Sequence, residues 1–336
     1  MGRVIIVGAG ASAGTLSAEN APICRDFGKV LQRKVPRWRV AYPNLSSCVE
    51  YLCGVLPGTD PGDWSLDRVW GAIDNQYKLF GILHHDGFPD RSTIVCAGFE
   101  LKKAVCAVYG DQLRERIDQA ARGNGTLKAV LGATEPNDCI VSLNYDNLVE
   151  RLLSALGKEF VQPKNERSSF GDGLILVKPH GSLTWWRRLF GRGTDEIEIR
   201  TEPLRESEIQ LPGNGKDVEV QPGIIGPVPH KTELLYEQRE NLSRLVQAHW
   251  SLARRSFASA DVIDVVGYSF PEEDDHAMLI FQRAAYLSRE RRGGPVEVRV
   301  YQRDEGEYER VRENLKRNVF HSSEANYSFR GPVRID

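Results

Sequence analysis

Among the six cysteines of this 336-residue chain there is no C-x-x-C pair, and no histidine lies at zinc-finger spacing from two of them. That excludes the familiar structural zinc sites, and no metal is expected. Scattered single cysteines in a chain of this length read as thiols in a reducing compartment. No apolar run reaches membrane-spanning length, so no membrane partner is expected. Ala11-Ser12-Ala13 imitates a signal-peptidase site, but Val4 to Val7 is far too short for the apolar region such a signal needs. Gly2 lacks the downstream Ser or Thr of a myristoylation motif, since Ile6 stands there. The expectation is a cytoplasmic protein. A net charge of −2 supplies no global field for nucleic acid. The basic clusters Arg187-Arg188 with Arg192, and Arg289 with Arg291 and Arg292, read as solvated faces.

The chain does have a strong beginning. Arg3-Val4-Ile5-Ile6-Val7 is a β-branched run that breaks into Gly8-Ala9-Gly10-Ala11-Ser12-Ala13, a G-x-G-x-x-A pattern. Such a strand entering a helix N-terminus suits a pyrophosphate, because free N–H groups and the helix dipole face the anion. The same pattern also makes a tight turn that binds nothing.

Further short apolar runs predict strands at 139–143, 174–177, 262–266 and 296–301. Helical stripes follow most of them. Leu148, Val149, Leu152, Leu153 and Leu156 form one, Ala277, Ile280, Phe281 and Ala284 another, and Tyr308, Val311 and Leu315 a third. Strand, loop and helix in alternation predict an α/β fold, a Rossmann-like, mainly parallel sheet flanked by helices. The whole of 1–336 reads as one domain. Residues 44–135 have helical stripes (Leu66, Val69, Trp70, Ile73 and Tyr77 on one face) and no convincing strand, so they read as a helical insertion. Residues 186–222, rich in Gly, Glu, Arg and Pro, read as an irregular loop insertion, and 232–259 as one long helix.

A dehydrogenase would place an acidic residue at the end of a second strand about twenty residues after its glycines. Val35-Pro36-Arg37-Trp38-Arg39-Val40 stands there instead. The other loops at strand ends carry Asn144-Tyr145-Asp146, then Lys178-Pro179-His180-Gly181-Ser182, then Gly267-Tyr268-Ser269-Phe270-Pro271. In an open parallel sheet these share one cleft with Gly8 to Ser12. Each residue also has a plainer role. Asn144 is a favoured helix cap, His180 a turn residue, and Asp274 and Asp275 suit the start of a helix. Trp185 and Trp186 read as core or rim packing.

Together GAGASA, SLNYDNLVE, KPHGSLTWW and VVGYSFPEEDD resemble the sirtuin-like superfamily, in its order, from residue 1 to about 320. The similarity is to the bacterial NAD-hydrolase branch that lacks the zinc module. The resemblance implies a hydrolase that cleaves NAD to nicotinamide and ADP-ribose, serving as an NAD-depleting effector of anti-phage defence. It implies Asn144 and His180 as catalytic residues, with Asp146 holding their loop. Gly8, Ala9, Gly10, Ala11 and Ser12 would cradle the pyrophosphate, Gly267, Tyr268 and Ser269 would line the same cleft, and Asp304 would reach the adenosine end. NAD is then substrate and binding partner, with a homo-oligomer or a defence-system protein as further partners. An NAD-dependent deacylase or ADP-ribosyltransferase, and a non-catalytic NAD or ADP-ribose sensor, are the alternatives. The deacylases' Gly-Ile-Pro-Asp-Phe-Arg stretch is missing after Ser12, which disfavours an acyl-lysine channel.

Overall fold

The computed structural model describes residues 2–16, 24–55, 64–79, 89–110, 113–123, 125–164, 173–190, 194–210, 218–226, 241–271, 274–291, 296–302, 305–320 and 327–334. One parallel sheet contains β1 (Arg3–Val7), β2 (Cys139–Ser142), β3 (Phe160–Val161), β4 (Leu174–Val177), β8 (Val262–Val266) and β9 (Val296–Gln302). Its order is β3-β4-β2-β1-β8-β9, and β10 (Tyr327–Arg334) adds a further parallel strand beside β9. β1 lies between β2 and β8, with Ile5 opposite both Ile140 and Asp264. The strands on its two sides come from different stretches of the chain, so their carboxyl ends form a topological switch point.

Burial on both faces explains the unbroken apolar runs. Ile5, Val7, Ile140, Leu174 and Leu176 join one core, while Val4, Ile6, Val141, Ile263 and Val265 join the other. Ile5, Ile6 and Val7 are wholly buried, each worth about 1.5–3 kcal/mol relative to exposure. Asp264, the one charge inside the 262–266 run, is fully buried and is met by the Arg3 guanidinium. Burial pushes its carboxyl upward and Arg3 opposes that shift.

On the first face α1 (Ala9–Leu16) leads into α2 (Phe27–Lys34), α3 (Trp38–Ala41) and α4 (Pro43–Val55). Then follow α5 (Leu66–Leu79), α6 (Arg91–Tyr109), α7 (Leu113–Arg122) and α8 (Thr126–Gly132) before β2. Residues 35–40 form no strand. Val35 closes α2 by donating to the Leu31 carbonyl, and Trp38 packs 5.9 Å from Trp64. After β2 comes α9 (Leu148–Ala155), whose Leu148, Val149, Leu152 and Leu153 enter the same core. The second face is covered by α10 (Asn241–Ser259), α11 (Asp275–Arg291) and α12 (Glu305–Leu315). Of the long helix expected over 232–259, residues 232–240 lie outside the described residues. No helix among the described residues is long and apolar enough to cross a membrane.

The expectation of an irregular 186–222 needs correction. β5 (Gly181–Phe190), β6 (Thr194–Ile199) and β7 (Val218–Ile224) form an antiparallel sheet in the order β6-β5-β7. Its charged composition resembles a loop, but Trp185-Trp186-Arg187-Arg188 alternates in burial with the period of a strand. Arg187 can turn inward because Asp195 of β6 pairs with it at 2.9 Å. The Asp195 carboxylate also accepts the backbone N–H groups of Asn241 and Leu242, so it caps α10. Residues 191–193 and 211–217 of this segment lie outside the described residues.

Candidate active site

The ends of β1 and β8 fit together through glycine. Gly267 has φ +63°, a left-handed conformation that favours glycine. Its carbonyl accepts the Gly10 N–H at 2.9 Å, and the Val266 carbonyl accepts the Gly8 N–H at 3.0 Å. A Cβ on Gly8 would lie 2.6 Å from the Tyr268 Cβ, and one on Gly10 would lie 2.8 Å from the Gly267 carbonyl oxygen. Both glycines of the opening motif are therefore required by the turn after β8, whatever else they bind. Gly10 remains exposed and Ala9 half-buried, so the N-terminus of α1 faces outward at the strand ends.

A buried polar chain joins this turn to the loop after β2. Ser12, Asn144 and Asp146 are all buried. The Asn144 amide nitrogen donates to the Gly8 carbonyl at 3.0 Å and to Ser12 Oγ at 2.9 Å. Ser12 in turn donates to Asp146 Oδ2 at 2.8 Å, while Asp146 Oδ1 accepts the Leu148 N–H at 3.0 Å. Both protons of the Asn144 amide are thereby used, which fixes its flip. No hydrogen bond among the described residues reaches Asn144 Oδ1, leaving one acceptor oxygen in a set orientation. Asn144 is not a helix cap: α9 starts only at Leu148, and it is Asp146 that holds the helix entrance.

His180 comes from the other side. Its loop is pinned by Gly181 N–H donating to the Lys178 carbonyl, and by Ile225 N–H donating to the His180 carbonyl. Gly181, at φ +80°, lets β5 cross β7 closely, since a Cβ there would lie 2.1 Å from the Gly223 carbonyl oxygen. The buried imidazole packs 5.6 Å from the Trp250 ring, and its Nε2 lies 3.3 Å from Asp274 Oδ2. The same carboxylate oxygen accepts the Tyr268 hydroxyl at 2.9 Å. Burial, with Asp274 beside it, holds the Tyr268 phenol well above its usual range, so it stays a donor.

Lys178, passed over as a site residue in the sequence, joins the loops. It is wholly buried, and its Nζ donates to Glu150 Oε1 at 2.8 Å and to the Asp146 carbonyl. Removing one member of a buried pair commonly costs about 3–5 kcal/mol, so the position of Asp146 is strongly coupled to the start of the His180 loop. His249 completes the support, accepting the Lys178 N–H on Nδ1 at 2.8 Å and facing the Pro163 carbonyl with Nε2 at 3.0 Å. Both ring atoms are satisfied in the neutral form alone.

Burial lowers the His249 pKa to about 3, the nearby Lys178 charge adding to this and the Pro163 bond opposing it. An unfolded chain takes up this proton as pH falls through about 6.5, whereas the folded one refuses it until about 3. The imidazole's contribution to stability is thus intact above 6.5 and is lost progressively below it. In urea melts from pH 7 to 4, a folded His249→Gln variant should lose less stability than the parent. Equal slopes would refute this assignment.

Ser269 is half-buried, its carbonyl accepting the Asn314 side chain at 2.8 Å. Phe270 holds φ +52° with its ring fully buried between Tyr268 and Phe281. A bulky residue in that region marks a strained turn, of the kind that clusters at functional loops. Asp304 lies outside the described residues, as do Glu272 and Glu273. Tyr145, between the two site residues of its loop, turns away and donates to the Ile225 carbonyl at 2.7 Å. Among the described residues no group of three or more His, Cys, Asp or Glu side chains is gathered as a metal site.

Comparison with known proteins adds no assignment. No protein-family model matches the chain, and no curated protein matches it.

Proposed function

We propose that the chain hydrolyses NAD at the nicotinamide–ribose bond, giving nicotinamide and ADP-ribose. The observation that carries this is the Asn144 amide, fixed through both protons by Gly8 and Ser12 with its oxygen unengaged. At the strand ends of a parallel sheet that oxygen is suited to accept a hydrogen bond from a water molecule and aim it. Nicotinamide is a cationic leaving group, so its departure needs no acid. The C1′–N1 bond breaks with its electron pair going to the ring nitrogen, and the water oxygen bonds to C1′. The proton released by that water passes to His180, an imidazole suited to general-base work near neutrality.

The outward-facing N-terminus of α1 fits the pyrophosphate. Gly10 is exposed and Ala9 half-buried there, and Gly267, Tyr268 and Ser269 would form the adjoining wall. A role as an NAD-depleting defence effector rests on the sequence resemblance alone.

Purified protein incubated with NAD should yield nicotinamide and free ADP-ribose in equal amounts by chromatography. His180→Ala should slow this by about a hundredfold or more while leaving the circular-dichroism melt in place. Saturable NAD binding with no nicotinamide release would instead establish a sensor. O-acyl-ADP-ribose or labelled protein would establish a transferase.

A further inference from the structure

Asp274 precedes α11, where a carboxylate ordinarily caps the helix. Its Oδ2 lies 3.3 Å from His180 Nε2 and takes the Tyr268 hydroxyl. The carboxyl side chain is only 12% exposed and the imidazole 8%. In so dry a setting an acid and an imidazole interact far more strongly than at a surface.

We infer that Asp274 is a positioning residue for His180, holding the imidazole with its proton on Nε2 and raising its basicity, while the Tyr268 hydroxyl shares the same carboxylate oxygen. This rests on the proposed NAD cleavage for its catalytic meaning, though the pairing itself does not. An Nε2–H turned toward a carboxylate places the basic lone pair on Nδ1, the atom that must accept the proton of the attacking water. The carboxylate then stabilises the imidazolium that forms, without itself taking the proton.

Several other ionisable groups pack around this pair. Lys178, two residues before His180, spends its ammonium on Glu150 and the Asp146 carbonyl. From α10, His249 stays neutral between Lys178 and Pro163, and Trp250 presents only its ring. From α11, His276 lies against that same indole at 5.0 Å. From the loop after β8, Tyr268 is a buried phenol directed at Asp274. Ile225, the residue after β7, contributes its N–H to the His180 carbonyl. Asp274 thus meets the imidazole directly, its Oδ2 3.3 Å from Nε2.

The deciding test is a histidine NMR titration of the full chain, with the His180 signal assigned by its loss in His180→Ala. In Asp274→Asn the His180 midpoint should fall by about one pH unit or more. Tyr268→Phe keeps the carboxylate in place and removes its competing donor, so its midpoint should not fall. The pH profile for nicotinamide release should follow: in Asp274→Asn the acidic limb, along which His180 loses its proton, moves down with the NMR midpoint and kcat drops about tenfold or more, with KM for NAD nearly unchanged. An unmoved midpoint in folded Asp274→Asn, or equal falls in both variants, overturns the inference. If the parent releases no nicotinamide, NAD cleavage fails as the function, and the NMR result still decides the pairing.

Discussion

Asn144→Ala should give a folded protein that releases nicotinamide at least about a hundredfold more slowly than the parent, the scale on which a misplaced reactant lowers a rate. The structure dictates both halves of this expectation. The short side chain fixes three things at once: the Gly8 carbonyl, the Ser12 hydroxyl and its own oxygen. Truncation leaves the Gly8 carbonyl without this donor, at a cost of about 1–3 kcal/mol. Ser12 still has Asp146, so the rest of the hydrogen-bond chain is kept. Asn144→Asp should destabilise more, because a second oxygen would then face the Gly8 carbonyl and the Ser12 oxygen beside the Asp146 carboxylate. Product chromatography with a parallel thermal melt measures both. A folded Asn144→Ala protein working at the parent rate would end the assignment of Asn144 to the chemistry.

The Asn144–Ser12–Asp146 chain also shows where legibility in the sequence stops. Strands 174–177 and 262–266 match their expected bounds because burial on both faces writes itself as an unbroken apolar run. The helix after β2 begins at Leu148, later than its polar entrance suggests, because Asp146 takes the Leu148 N–H and holds the chain in a turn. Asn144 looks like a cap since capping is a local property, whereas its true partners, Gly8 and Ser12, lie at the opposite end of the helical segment. Asp274 resembles a cap for the same reason, and its relation to His180 exists only once β4 and β8 lie in one sheet. Lys178 is conspicuous in the sequence but gains meaning only from Glu150 on α9. Local periodicity thus conveys the sheet, and the non-local pairings that make a site become visible only when the strand order is known.

Gly267→Ala should be among the most damaging single substitutions, lowering stability by about 2–5 kcal/mol in urea unfolding. Two costs combine. A φ of +63° disfavours any Cβ, and a Cβ built here would lie 2.0 Å from the Ala11 nitrogen and 2.5 Å from the Gly10 carbonyl carbon. These are backbone atoms, so no side-chain rotation relieves the overlap, and the first turn of α1 must move away from the end of β8. Gly157 provides the internal control. It has nearly the same φ, +66°, with nothing within 4 Å of its would-be Cβ. It closes α9 in a left-handed cap, with Lys158 N–H donating to the Leu153 carbonyl at 2.9 Å. Gly157→Ala therefore carries the backbone strain alone, about 1–2 kcal/mol. The excess loss in Gly267→Ala measures the packing of the two glycine turns against each other. Nicotinamide release should fall with Gly267→Ala even where the protein is still folded, and should hold in Gly157→Ala, because only the first shifts Gly8 and with it the carbonyl that orients Asn144. Equal losses of stability in the two variants would mean that the opening glycines do not depend on the turn after β8.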